Sequence, residues 1–249
     1  VLVLAVDTST PAVTAGVCRL VEGGRGPAVT PLATRVTEDA RAHAELLTPH
    51  ILDCLAEADL APEDLDAVVV GVGPGPFTGL RVGMATAAAF ADALGRPAHG
   101  VCSLDGLAWR ARAAGLTGDL LVVTDARRRE AYHARYSPDG RRVAGPTVGP
   151  AAAISTEGVD HVVGDVTRLG ELVGRTPRAR TGGGRTGAPD RLVSPDPAGL
   201  VTAAAADLLN GVAPAPLEPL YLRRPDAVPP RRVEPSPALR GTEPGGPRG

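Results

Sequence analysis

Two aspartates stand where chemistry can happen. Asp7 closes the apolar run Val1–Val6, and Asp125 closes the run Leu120–Thr124. A carboxylate at a strand end, followed by the hydroxyls and backbone N–H groups of Thr8, Ser9 and Thr10, can hold a metal nucleotide when a second such loop faces it across a cleft. The second copy is poorer, because Asp125 precedes Ala126 and the arginines 127 to 129, with no glycine to bring backbone close to a phosphate. This pair sets one functional expectation, a free-standing ATP-dependent phosphotransferase.

The second candidate is the stretch from Val68 to Leu94, an apolar run, a Gly/Pro loop and a nearly uncharged helix. Strand, glycine loop and helix is how anions are presented with backbone N–H groups. The spacing argues against a phosphate loop: Leu80 and Arg81 follow Gly79 where a Lys-Ser/Thr pair is needed, and the sixth position from Gly73 is Thr78 rather than glycine. Pro74 and Pro76 also remove two donors. The helix expected over Thr78 to Leu94 carries Gly79, Gly83, Ala87 and Ala91 at every fourth position, a stripe along which another helix can approach closely. Between Val82 and Leu94 its one charge is Asp92, so it should be buried on more than one side.

Other chemistry is weaker. His43 and His50 are seven apart, not the four of a helical metal pair, and no Cys or third His lies nearby; they are expected on a surface or interface. Ser9 and Ser103 lie in no G-x-S-x-G elbow. The arginines at 127 to 129, 141, 142, 223 and 224 are a solvated charge run before they are an RNA-facing surface. Cys18, Cys54 and Cys102 form no C-x-x-C pair and suit buried thiols of a reducing cytosol.

The elements that must position these residues begin with strands over Val1 to Val6, Ala12 to Leu20 and Ala28 to Val36. A helix over Arg41 to Leu60 follows, with Ala44, Leu47, Ile51, Leu55 and Ala58 as its core stripe. With the strand at Val68 to Val72, the helix behind it and a strand at Ala98 to Val101, the order is βββαβαβ, a ribonuclease-H-like unit with a meander joined to parallel crossovers. Ser103 is a fitting N-cap for a helix over Leu104 to Ala114. A strand at Leu120 to Thr124 and a hairpin around 137 to 140 then restart the pattern, which hints at duplication without visible sequence repeat. Beyond Pro150 a strand at Val159 to Val163, a loop at Arg175 to Asp190 and a helix at Gly199 to Leu209 are expected. From Pro225 the Pro/Gly/Arg composition predicts disorder.

Composition narrows the class. With 43% hydrophobic and 2% aromatic residues the core must be aliphatic. A net charge of -2 gives no global drive toward nucleic acid or anionic membrane. Every basic residue is Arg, which reflects biased composition more than a set of phosphate sites. The opening Val1–Val6 run lacks a basic leader, so no signal peptide is expected.

Taken in order, DTST after the first strand, RAHAELL opening the first helix, GVGPGPFTGLRVG, GVCSLDGLA, DARRREAY and PLYLRR resemble the bacterial TsaB (YeaZ) family over residues 1 to 224. The resemblance implies an actin-like (ASKHA) α/β fold of two ribonuclease-H-like lobes with mixed sheets. It places the first lobe at 1–102 and a second, reduced lobe at 103–224 whose last helix packs back on the first; it says nothing about the tail at 225–249, whose disorder is expected from composition alone. It implies a cytoplasmic, non-membrane scaffold subunit, not an enzyme on its own, of a tRNA threonylcarbamoyladenosine-forming complex. The partners implied are a TsaD-type threonylcarbamoyltransferase, a TsaE-type ATPase, tRNA through the complex, and a second copy when the chain is alone. No cofactor, catalytic residue or metal site is expected in the chain itself, with ATP and Mg entering at the level of the complex. The partner helices place Leu46, His50, Gly79, Gly83, Met84, Ala87 and Ala91 at the interface, and Asp7, Thr8, Ser9 and Gly75 as candidate nucleotide contacts. Only His43 lies near the point where the TsaD relatives carry two metal-binding histidines, and Pro76 replaces a usual Ser. The phosphotransferase reading through Asp7 and Asp125 stands as the alternative.

Overall fold

The structure, a computed structural model, describes residues 1–24, 26–165, 180–181 and 192–223. The first sheet is assembled from β1 (Leu2–Asp7), β2 (Ala12–Gly23), β3 (Gly26–Glu38), β4 (Ala67–Gly71) and β5 (Ala98–Val101) in the order β3-β2-β1-β4-β5. The first three run antiparallel, whereas β4 and β5 join parallel to β1. The parallel pairs need crossovers, supplied by α1 (His43–Glu57) and α2 (Phe77–Leu94). Alternation along β1 explains why the run is apolar throughout. Leu4 and Val6 face the cluster under α1 and α2, while Val3 and Ala5 face a second cluster on the other side.

The second sheet repeats this plan. It contains β6 (Leu120–Asp125), β7 (Glu130–Tyr136), β8 (Arg142–Pro150), β9 (His161–Gly164) and β10 (Arg180–Thr181) in the order β10-β9-β6-β7-β8. Its meander is antiparallel and its β6, β9 and β10 are parallel, the same mixed arrangement as the first sheet. Two ribonuclease-H-like sheets in one chain make the actin-like α/β fold, with α3 (Ser103–Ala113) leading from one to the other. The strand expected at Val159 to Val163 lies at His161–Gly164. Of the loop expected at 175 to 190, residues 180–181 pair with β9 and the rest lies outside the described residues, as does the tail expected from Pro225.

The other face of the first sheet is covered by α4 (Pro197–Leu209), from near the end of the chain. Asp196 caps it, its Oδ1 accepting from Gly199 N at 2.7 Å, and Pro197 occupies the first turn, where a missing N–H costs nothing. Glycines allow the close fit. A Cβ on Gly16 of β2 would lie 2.5 Å from Pro197 Cγ, and one on Gly199 would lie 2.1 Å from the Gly106 carbonyl oxygen of α3.

Three local expectations are corrected. The first helix begins at His43 rather than Arg41 and ends at Glu57, ahead of Asp59 at φ +53. This register buries His43 and Cys54 beside Leu47, Ile51 and Leu55, and leaves Ala44 exposed. Second, α2 is not covered on several sides: Gly79, Leu80, Gly83, Met84, Ala87 and Ala91 are buried, but Ala85, Ala88 and Ala89 face outward. Third, Ser103 is not an N-cap. Cys102 holds that position without a side-chain bond, and the Ser103 hydroxyl turns elsewhere. If backbone approach is what seats α4 on α3, Gly199→Ala must push the two helices apart. Its stability, read by denaturant or thermal unfolding, should fall by about 1–3 kcal/mol, whereas Ala206→Ser on the exposed side should leave the midpoint unchanged.

Candidate functional site

Asp7 ends β1 beside the end of β4, and its carboxylate is wholly buried. A buried charge needs donors. Its Oδ1 accepts from Ser9 N at 2.9 Å and from Ser9 Oγ at 2.7 Å, and its Oδ2 accepts from Ser103 Oγ at 2.5 Å. Ser103 also ties in the glycine loop, because its Oγ accepts from Gly73 N at 3.2 Å and its own N–H donates to Gly73 O at 2.7 Å. Burial pushes the Asp7 carboxyl above the usual range; the hydrogen bonds from Ser103 and Ser9, and the charge of His43, pull against it.

The glycines of the loop and helix are dictated by this cluster. A Cβ on Gly71 would sit 1.8 Å from Asp7 Oδ2, and one on Gly75 would sit 2.4 Å from Ser9 O. Along α2, a Cβ on Gly79 would lie 2.4 Å from Thr8 O and one on Gly83 would lie 2.3 Å from Thr8 Oγ1. Thr8 Oγ1 donates to Gly79 O at 2.7 Å. The stripe of small residues is therefore a groove for the chain's own β1–β2 loop, not for a second helix.

His43, 8% exposed, braces the same loop from α1: its Nε2 lies 3.0 Å from Thr10 O, which requires the proton on that nitrogen. Next to it is a pocket of about 160 Å³ between the lobes, lined by Thr10, His43, Thr78, Gly79 and, from the β6–β7 turn, Arg127. Arg127, Arg128 and Arg129 all adopt positive φ, and Asp125 Oδ1 accepts from Arg127 N at 3.0 Å. Among the described residues, no group of His, Cys, Asp and Glu could hold a metal ion.

The last described segment straps the lobes together. Leu217 and Leu220 pack on the core beneath α2, while Leu220 and Leu222 pack on the core of the second sheet. Arg223 Nη1 donates to Ala126 O at 2.7 Å. Tyr221 stacks on Phe77 with ring centroids 5.0 Å apart, and Arg81 lies 3.9 Å over the Phe77 ring while donating to Tyr221 Oη.

The sequence-based residues therefore divide. Asp7, Thr8, Ser9 and Gly75, the expected nucleotide contacts, do converge, and all four are buried and bonded to or packed against one another. Gly79, Gly83, Met84, Ala87 and Ala91, expected at a partner interface, lie on the inward stripe of α2. His50 is half-buried, its Nε2 2.9 Å from Thr37 Oγ1 of β3, and Leu46 packs partly on the core one turn earlier. Ser103 and His43 were missed as partners of the Asp7 loop; their one signal was a hydroxyl directly after β5 and a histidine at the true start of α1.

Two mixed sheets of equal topology with a carboxylate loop at the mouth of each define an actin-like, two-lobed protein. The family model described as "TsaD: tRNA N6-adenosine threonylcarbamoyltransferase" matches residues 33–163, and the chain belongs to that family. Within it the chain is a member of the TsaB/YeaZ group. It is similar to YeaZ from Pseudomonas aeruginosa, with a TM-score of 0.67 and 26% identity over 89% of this chain and 99% of that one. It is 34% identical over 134 residues to the tRNA threonylcarbamoyladenosine biosynthesis protein TsaB of Bacillus subtilis, covering 54% of each. An uncharacterized Mycobacterium leprae protein, ML0378, is 52% identical over 228 residues, which are 92% of this chain and 56% of that protein.

The raised Asp7 carboxyl makes a signed prediction. A carboxyl that binds its proton more tightly folded than unfolded loses stability as pH rises from the ordinary carboxylate value through its folded value. Asp7→Asn keeps the shape and the acceptor for Ser9 without the charge. The melting temperature of this variant relative to the wild type should thus climb as pH is raised from about 4 to 7, and a difference that shrinks over that range would refute the assignment.

Proposed function

We propose that this chain is the non-catalytic subunit of a tRNA threonylcarbamoyladenosine-forming complex and supports a TsaD-type transferase through the outer faces of α1 and α2. The observation that carries this reading is the closure of the Asp7 loop: the residues best suited to ligand chemistry are consumed in holding α2 against β1. What α2 then offers to solvent is apolar, with Ala85, Ala88 and Ala89 exposed and Val82 half-buried. Leu52 of α1, at 51% exposure, and Phe77, at 46%, add large apolar side chains. A smooth Ala surface on a helix braced from behind suits close helix-to-helix packing. The family membership and the Bacillus relative, a tRNA threonylcarbamoyladenosine biosynthesis protein, point to the same process.

On this reading the partners are a TsaD-type protein, a TsaE-type ATPase and, through the complex, tRNA, with a second copy of the chain taking the TsaD-type place when it is alone. ATP and magnesium act at the level of the assembly, in the cytoplasm. No helix among the described residues is long and apolar enough to cross a membrane. The phosphotransferase reading through Asp7 and Asp125 finds no favouring observation, since the first carboxylate has no exposed surface.

Because the small stripe turns inward, the test falls on the outer face of α2. Ala87 is fully buried, so Ala87→Glu should unfold the chain. Ala85→Glu and Ala89→Glu place the charge on the outer face; both should keep the wild-type melting temperature yet weaken co-elution with a TsaD-type protein more than about tenfold. Wild-type affinity in both would sink the proposed surface.

A further inference from the structure

A second cavity, of about 280 Å³, opens at the edge of the first sheet, where β5, the end of α4 and residues 212–218 meet. His99 of β5 lines it and is only 6% exposed. Among the described residues its ring makes no hydrogen bond, and its nitrogens keep some accessible surface. Burial holds its pKa below the usual histidine value, with the charge of Asp207 opposing, so the ring is neutral at pH 7 and presents a lone pair.

The charged side chains around the cavity are acidic. Asp207 and Glu218, both exposed, stand at its mouth, and none of its lining residues is an arginine. Pro214 and Pro216 of the strap lack an N–H, leaving carbonyls as the polar groups of their peptide units. Asp207 lies in the last turn of α4, whose carbonyl end adds negative potential. Val72 and Ala204 add apolar wall to the same cavity. These groups do not converge on a metal ion, since His99, Asp207 and Glu218 form no ligand cluster.

We propose that this cavity binds a small aliphatic diamine, with one ammonium between Asp207 and Glu218, methylenes along Val72 and Ala204, and the second nitrogen donating an N–H to His99. An anion is disfavoured by every charge at the site, and a neutral apolar ligand would leave the imidazole without its partner. The site is separate from the outer face of α1 and α2 and does not depend on the reading given to that face.

The test is a titration of the full chain with 1,4-diaminobutane at about pH 7.5, followed by calorimetry and by the histidine ring signals in NMR. Saturable binding that moves the His99 resonances is expected, with no response to 1,4-butanediol, which matches the length but carries no charge. Asp207→Asn with Glu218→Gln should weaken binding at least about tenfold, and Glu218→Gln alone, on the exposed strap, should weaken it in smaller measure without altering the fold. Absence of saturation up to about 10 mM diamine, equal affinity in the double variant, equal binding of the diol, or unmoved His99 signals would each overturn the proposal.

Discussion

Everything in the first lobe depends on the seating of Thr8 in the inner stripe of α2. The hydroxyl of Thr8 donates to the Gly79 carbonyl while its backbone and side chain occupy the space that a Cβ on Gly79 or Gly83 would need. A helix normally stands about 8–10 Å from its neighbour because side chains intervene. Here a loop lies directly on helix backbone. That contact sets the position of α2 over β1 and β4, and through it the direction in which Ala85 and Ala89 look outward.

The same contact decides what Asp7 does. In an open cleft a strand-end carboxylate would be free to hold a hydrated cation. In this chain Ser9 and Ser103 supply donors and Gly71 leaves it no room on the side of β4. The cost of burying the carboxyl is offset in part by hydrogen bonds that join three segments: the β1–β2 loop, the glycine loop and the start of α3. A loop of the kind that binds ligands thereby becomes a brace between the lobes. The strap at residues 217–223 reinforces it from the other side, clamping the start of α2 through Phe77, Arg81 and Tyr221.

Much of the fold was legible because the strands are short, apolar and bounded by turn residues. Ala98–Val101 fell where expected, β1, β2 and β4 shifted by a residue or extended at their ends, and the β6–β7 hairpin restarted the order of the first lobe. The duplicated sheet order could be suspected but not established, since it depends on which strands pair across distant parts of the chain. The site was harder for a definite physical reason. Glycine and alanine at every fourth position announce a close approach but carry no information about what approaches, and the chain's own Thr8 is seventy-one residues from Gly79. Serine before a helix usually caps it, but the Ser103 hydroxyl answers a carboxylate two strands away in the sheet. Histidine is more often exposed than buried, which points His43 to a surface, whereas it is buried beside Leu47 at the start of α1.

The central claim, that Asp7 is a structural brace and the outer face of α2 is the working surface, is tested most directly by threonylcarbamoyladenosine formation. The purified chain would be combined with TsaD-type and TsaE-type proteins, ATP and tRNA, comparing the wild type with Asp7→Asn and Ala85→Glu. Product at the wild-type level with Asp7→Asn and none with folded Ala85→Glu is the predicted result. Loss of product with Asp7→Asn, in a variant that remains folded and still binds the TsaD-type partner, would contradict it.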